Sequence, residues 1–299
     1  MNEWNNLKVH FAGLEAGHHF RIALKVADCR YSLYSCYRYI KNKKSDSDFT
    51  IPANDVVVLG QTQFRHIIQD SGLFTLMFGV AKDTKLALPM LEEWQERLVQ
   101  FVTQNHLRAT CVEVDCQKVL GPKEAWYLRK KLRDQLPNNE IINVFHFEDG
   151  RKGLDGLIEF ASYIAISVPE LRIMHPKTYK HDVCMLADYI KNKKPEIKIH
   201  LLGCTERELL KKNSFCTTSD STAWNRGVKF GNFDDDLHSL NHVKNFKKNL
   251  VQKTLVAIRD EYQKFGLQAT EKGYRYGTNL SICATIYKER YIKYCGPQD

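Results

Sequence analysis

No apolar run in these 299 residues approaches the roughly 18 needed to cross a membrane, and the first residues lack a signal-peptide pattern. A membrane-spanning or secreted protein is therefore not expected. No CxxC pair occurs among the nine cysteines (Cys29, Cys36, Cys111, Cys116, Cys184, Cys204, Cys216, Cys283 and Cys295), and nine is odd. That excludes an obvious disulfide framework or zinc site and makes reduced thiols in the cytoplasm the expectation. Internal repeats and low-complexity linkers are missing too, which favours one domain over a string of modules. Acidic charge is the scarcer sign, with 35 Asp and Glu against 44 Lys and Arg, a net charge of +9 and a pI near 9.0. Such a surplus suits a polyanionic partner, although many basic proteins bind nothing anionic.

What is present is an ordinary globular composition, 43% hydrophobic and 26% charged, enough for a large core. Short apolar runs at 7–13, 30–35, 64–70, 109–115, 140–146, 162–167, 197–203 and 214–220 read as strands. Longer runs between them, such as 88–106, 122–136 and 175–194, repeat apolar residues every three or four positions and read as helices. Strands alternating with helices imply parallel pairing and a sheet covered on both faces. Eight strands suggest closure into an α/β, (β/α)8 TIM-like barrel with insertions, although a doubly wound open sheet has the same local signature. Past residue 235 the pattern turns helical and Lys-rich. The expected organisation is a barrel over 1–235 and a basic helical C-terminal extension over 236–299, packed on the same domain.

In such folds chemistry sits where strands end. Three of the strands end in aspartate, at Asp70, Asp115 and Asp220, a fourth ends at His146, and another runs into Leu202 and Gly203. One strand-end Asp is ordinarily a turn or helix-cap residue. Three on equivalent ends of one barrel would meet in a single mouth. Converging carboxylates suit glycosyl transfer, where one attacks carbon and another moves protons, and they also suit a divalent metal.

These residues resemble a known family. DSGLFT (70–75) is similar to the Asp-Ser-Gly turn of the guanine transglycosylases, HLLGCT (200–205) to their Leu-Met-Gly strand end, and SDSTAWNR (219–226) to their Asp followed six residues later by Arg. The opening VHFAGLEAG, the VFH strand and the Ser-x-Asp-Ser-x-x-Trp spacing resemble the phage and bacterial, DpdA-like DNA-guanine transglycosylases. The likeness spans about 230 residues, and its strength lies in the order of the motifs.

The resemblance implies a base-exchange pentosyltransferase that replaces guanine in DNA by a 7-deazaguanine, with 7-cyano-7-deazaguanine the first candidate. It implies that Asp220 is the nucleophile toward the sugar and Asp70 the general acid and base. Asp115 would read the purine edge, Phe74 and Leu202 would sandwich the base, His146 would bond its carbonyl, and Ser71 and Gly203 would complete the pocket. Arg226, Trp224, Lys229, Lys247 and Lys248 would meet nucleic acid, with Trp224 either a stacking wedge or an aromatic anchor of its loop. The zinc cluster of tRNA-acting relatives has no counterpart, since only Cys283 and Cys295 lie in that region, so no metal and no cofactor are expected. Around Ser162, Tyr163 and Ile164 the family's paired glycines are replaced, leaving the contacts to the 7-substituent without an equivalent. The implied partners are DNA, flipped or single-stranded, and a free 7-deazaguanine base, with a homodimer or a DNA-opening protein left open; a phage-encoded chain would work in host cytoplasm. The rival readings are the same exchange on tRNA, a non-catalytic nucleic-acid-binding barrel, and a metal-dependent barrel hydrolase.

Overall fold

The structure, a computed structural model, describes residues 6–73, 86–231 and 240–299. Eight parallel strands close into one barrel in sequence order: β1 (Lys8–Ala12), β2 (Tyr31–Ser35), β3 (His66–Asp70), β4 (Thr110–Val112), β5 (Ile141–Phe145), β6 (Tyr163–Ser167), β7 (Lys198–Leu202) and β8 (Thr218–Ser221). Helices fill the crossovers, giving the expected (β/α)8 barrel. Register is continuous around the ring, and β8 returns to β1 through the partners His10 and Asp220. Among the described residues no helix is long and apolar enough to cross a membrane.

Strand residues alternate between two cores, as the two-residue side-chain period requires. Val9, Phe11, Ile67, Cys111, Phe145, Ile164, Ile166, Ile199 and Leu201 face outward into the helical layer. Ile68, Val112, Ile142, Val144, Tyr163 and Ala165, joined by Leu33 and Leu202, fill the interior. Both faces of strands such as β5 and β6 are buried, which is why these read as near-continuous apolar runs.

Part of the barrel interior is polar. His10 Nε2 lies 2.7 Å from His66 Nδ1, and His66 Nε2 lies 2.9 Å from Thr110 Oγ1. Thr110 reaches Glu140, whose other oxygen accepts from Lys198 Nζ at 2.7 Å. Burial holds the His66 imidazole down at about 4, helped by Lys198 and His200, and holds His10 well below the usual histidine range. These rings therefore pack as neutral hydrogen-bonding groups at neutral pH.

Most boundaries fall one or two residues inside the runs read from the sequence, and three differences are larger or carry a physical reason. Strand β4 stops at Val112 because Glu113 turns into the helical layer, where Arg129 grips both its oxygens at 2.8 Å and Val144 N–H donates to it at 2.8 Å. Glu113 is thus a buried ion-pair residue. The expected 175–194 helix runs from Tyr179 to Lys193, and a separate helix, Val168–Met174, precedes it. Strand β8 covers only the end of the 214–220 run and continues to Ser221.

The C-terminal segment is integral to the ring. The Glu271–Cys295 helix packs between His18–Val26 and Arg207–Lys212, the first and the preceding helices, and so takes the eighth position. Its Tyr291 meets Phe11 of β1 edge-on at 5.7 Å. Beyond the helix, Gln298 is buried against β1: Val9 N–H donates to its Oε1 at 2.9 Å, and its Nε2 donates to Leu7 O at 2.9 Å. Tyr31 O–H and an Arg65 guanidinium both donate to the Asp299 carbonyl, at 2.7 and 3.0 Å. The tail thereby satisfies backbone groups at the start of β1 that no neighbouring strand reaches.

Gln298→Ala strands Val9 N–H and Leu7 O without replacing their partner. Each unsatisfied buried group costs about 1–3 kcal/mol. Urea unfolding should therefore show a loss of about 2 kcal/mol or more, and an unchanged midpoint would contradict this role.

Candidate active site

The C-terminal ends of the strands bring together the carboxylates singled out in the sequence. Asp70 ends β3, Asp115 follows β4 and Asp220 lies in β8, and Asp70 feels the charge of both others. Glu15, after β1, and Glu170, after β6, belong to the same mouth: Glu15 accepts from the Ser35 N–H at 3.3 Å and is raised by its own burial and by Asp70.

Asp70 sits on a turn that only glycine permits. Gly72 has φ +76, and a Cβ there would lie 2.8 Å from the Tyr37 backbone. The turn aims Gly72 N–H at Asp70 Oδ2, 2.9 Å away. Below it Ser71 is buried, and its carbonyl accepts from Trp94 Nε1 at 2.9 Å and from the Cys36 thiol at 3.1 Å. Ser71 anchors the turn through its backbone. Burial pushes the Asp70 carboxyl up to about 6; bonds from Gly72 and Ser35 pull against this, and Asp220 and Asp115 add to it.

Asp220 is held by two donors on one oxygen. Gly203 N–H reaches Oδ1 at 2.8 Å and His200 Nε2 lies 3.2 Å from it. Gly203 has φ +64, and a Cβ would press to 2.8 Å from Pro169 Cγ, so the donor depends on a glycine. His200 is fully buried, its Nδ1 lies 2.7 Å from Thr218 Oγ1, and Thr218 bonds Tyr163 O–H in turn. With Nε2–H donating to the carboxylate, Nδ1 accepts from Thr218, and the chain is satisfied from Tyr163 to Asp220. The hydroxyls around Asp220 divide their work: Ser219 bonds the Cys204 carbonyl, and Ser221 Oγ accepts Ala223 N–H at 2.9 Å.

Asp115 is bound to His146, with Oδ1 2.6 Å from Nε2; the Asp115 side chain is 34% exposed and the His146 side chain 1%. His146 Nδ1 lies 3.3 Å from Glu170 Oε2, an ion-pair distance without hydrogen-bond alignment. Burial opposes a charge on His146, but Asp115 and Glu170 overcome it and raise the ring to about 10. Both nitrogens of this imidazolium face protein carboxylates, so His146 orients Asp115 instead of projecting a free donor at a ligand. Glu170 is delivered by a helix cap: Ser167 Oγ accepts Glu170 N–H at 3.4 Å, with Pro169 beside it. In a capping box the third-position Glu reaches back to the cap; here it reaches His146, and Lys118 Nζ, 3.0 Å from its Oε1. His146, Glu148 and Glu170 stand close enough to hold a metal ion, but Lys118 bridges the two glutamates as the protein's own cation.

The remaining expected residues divide. Leu202 packs on the interior cluster at the rim, while Phe74 lies outside the described residues. Trp224 corrects the wedge reading: it is fully buried, donates Nε1–H to Ala12 O at 2.9 Å and meets Phe11 and Phe20 edge-on. A ring so enclosed cannot stack on a base; it pins the loop after β8. Arg226, with its guanidinium 6.0 Å from the Phe230 ring, and Lys229, Lys247 and Lys248 are exposed. The sequence reading missed Glu15, Glu170 and His200. An inward alternation in KIHLL, which places His200 one pleat below Leu202, was the available signal for the last.

No protein-family model matches the chain, and no curated protein matches it.

The Asp70 shift has a consequence for stability. The folded carboxyl keeps its proton up to about pH 6, whereas the unfolded one releases it near 3.8. The folded state therefore binds the extra proton between these values, and stability falls as pH rises through that window. At neutral pH the charged Asp70 costs on the order of 3 kcal/mol. Asp70→Asn, which retains an acceptor for Gly72 N–H, should be more stable than the parent at pH 7.5 and equal to it near pH 4 by urea titration. A difference that does not vary with pH would refute the assignment.

Proposed function

We propose that this protein is a DNA-guanine transglycosylase, a pentosyltransferase that exchanges guanine in DNA for a 7-deazaguanine through an Asp220-linked glycosyl intermediate. The observation that carries the reading is the division of labour between two carboxyls in one mouth. Asp70 titrates at about 6, close enough to neutrality to give up a proton and take one back, and Asp220 is fixed through one oxygen by Gly203 N–H and His200. One proton donor and one oriented carboxylate are what double displacement at a sugar carbon requires.

In the first half-reaction an Asp220 oxygen forms a bond to C1′ of the nucleotide. The C1′–N9 bond breaks, its electron pair stays on the purine, and Asp70 gives that purine a proton. In the second half, Asp70 as carboxylate removes the N9 proton of the incoming base, N9 attacks C1′, and the ester to Asp220 breaks. One proton leaves and one returns, so the enzyme ends as it began.

Recognition follows from the same geometry. The N1–H and exocyclic amine of guanine form a two-donor edge, which suits a carboxylate such as Asp115, held from behind by His146. Stacking on apolar neighbours such as Leu202 adds about 1–3 kcal/mol per base. A base inside duplex DNA cannot enter a barrel mouth, so the substrate must be flipped or single-stranded. The net charge of +9 supplies the attraction to its phosphates and makes it salt-dependent.

The test is release of labelled guanine from single-stranded DNA on addition of 7-cyano-7-deazaguanine, with tRNA run in parallel. The parent should release guanine from DNA only when the incoming base is present. Asp220→Asn should lower the rate at least about 10³-fold with folding intact, the scale of losing a nucleophile. Release from tRNA alone, or full turnover by Asp220→Asn, would overturn the proposal.

A further inference from the structure

Beside the mouth lies a second cavity of about 220 Å³, between the loop after β7 and the Glu271–Cys295 helix. Its chemistry comes from one helix face and one loop. Tyr287, Arg290, Tyr291 and Tyr294 recur at steps of three and four and so share a face. Opposite them stand Arg207, at the start of the next helix, and Arg172, at the end of the Val168–Met174 helix.

Arg172, Arg207 and Arg290 thus line one small cavity. Two are held against rings: Arg290 lies 4.9 Å from the Tyr287 centroid and Arg207 lies 5.9 Å from that of Tyr294. Arg172 and Arg207, both exposed, carry the planar N–H fork that suits a tetrahedral anion. Among the described residues Glu206 is the one acidic residue lining the cavity, and it is engaged by Lys180 and by Tyr179 O–H at 2.7 Å. The volume is below the roughly 300–1,000 Å³ of sites that enclose a whole small molecule. It fits a charged group attached to something larger.

Gly203 ties this cavity to the reaction. It lines the cavity, and its N–H is the donor that holds Asp220. An anion seated there would lie one residue's breadth from the carboxylate of Asp220. We infer that this arginine–tyrosine cleft binds a backbone phosphodiester flanking the nucleotide whose base enters the barrel mouth. The inference rests on the nucleic-acid reading above, and it assigns the cleft the task of holding the strand while the base is exchanged.

The experiment uses the full chain and a fluorescent, guanine-containing single-stranded oligonucleotide, with Kd measured across a salt series. Arg172 and Arg207 are exposed, so Arg172→Gln and Arg207→Gln leave the core untouched. Each should weaken binding about 5- to 10-fold and lower the slope of log Kd against log salt by about 0.7, the value of one single-strand phosphate contact. Lys130→Gln, an exposed charge on the Pro122–Gln135 helix, should change neither. Binding of free guanine, followed in parallel, should be the same in all variants. Inorganic phosphate should compete no better than an equal ionic strength of chloride.

Unchanged slopes in both arginine variants would overturn the inference, as would an equal loss in Lys130→Gln, which would mean diffuse attraction only. Saturable displacement by low phosphate would assign the cleft to a free anion instead. None of these outcomes depends on turnover. A catalytically silent protein that still showed the expected slopes would defeat the base-exchange proposal and sustain the phosphodiester cleft.

Discussion

Crowding of negative charge is the constraint on which the rest of this structure depends. Five carboxyl side chains, from Glu15, Asp70, Asp115, Glu170 and Asp220, serve one barrel mouth, and like charges brought out of water repel strongly. The protein resolves the conflict differently at each position. Asp70 takes up a proton at a pH where an ordinary aspartate would not. Asp115 and Glu170 share the His146 imidazolium, and Lys118 adds a second cation on Glu170. Asp220 receives a backbone N–H and a buried histidine. Separating the carboxyls in this way leaves one that titrates well above the usual aspartate range, one fixed by two neighbours on a single oxygen and one held by an imidazolium, in the same small space.

The supports for Asp220 come from different layers of the fold. The Gly203 donor relies on the loop after β7 packing on Pro169, and Pro169 belongs to the helix that carries Glu170. The His200 donor relies on Thr218 and Tyr163 deeper in the barrel. The loop after β8 is pinned by Trp224 against β1 and the first helix. The Glu271–Cys295 helix covers β1 from outside and also forms one wall of the arginine–tyrosine cleft. Backbone geometry, interior polarity and the C-terminal helix therefore converge on Asp220.

Much of the fold was legible because a doubly covered parallel strand leaves a plain mark, a short apolar run, at most of the eight positions; β8, Thr-Ser-Asp-Ser, is the polar exception. The strand-end aspartates were legible for the same reason, since the period of the barrel puts strand ends together. Trp224 was ambiguous because its chemistry suits both a stacking surface and a core anchor, and only its enclosure by Phe11 and Phe20 decides. Glu170 was hidden behind Ser-Val-Pro-Glu, which reads as a helix start; its turn toward His146 depends on a residue 24 positions away in sequence. The place of the C-terminal helix could not be read locally either, because its partners, at residues 18–26, lie at the other end of the chain. Tertiary contacts between distant residues separate what the sequence discloses from what it conceals.

Attack of Asp220 on sugar carbon is the central proposal. The direct measurement is to incubate the protein with a labelled guanine-containing oligonucleotide, withhold the incoming base, denature rapidly, and map any linked peptide by mass spectrometry. A denaturation-resistant adduct at Asp220, discharged when 7-cyano-7-deazaguanine is supplied before denaturation, is the predicted result. Guanine release without any protein adduct, or an adduct carried by a different residue, would contradict it.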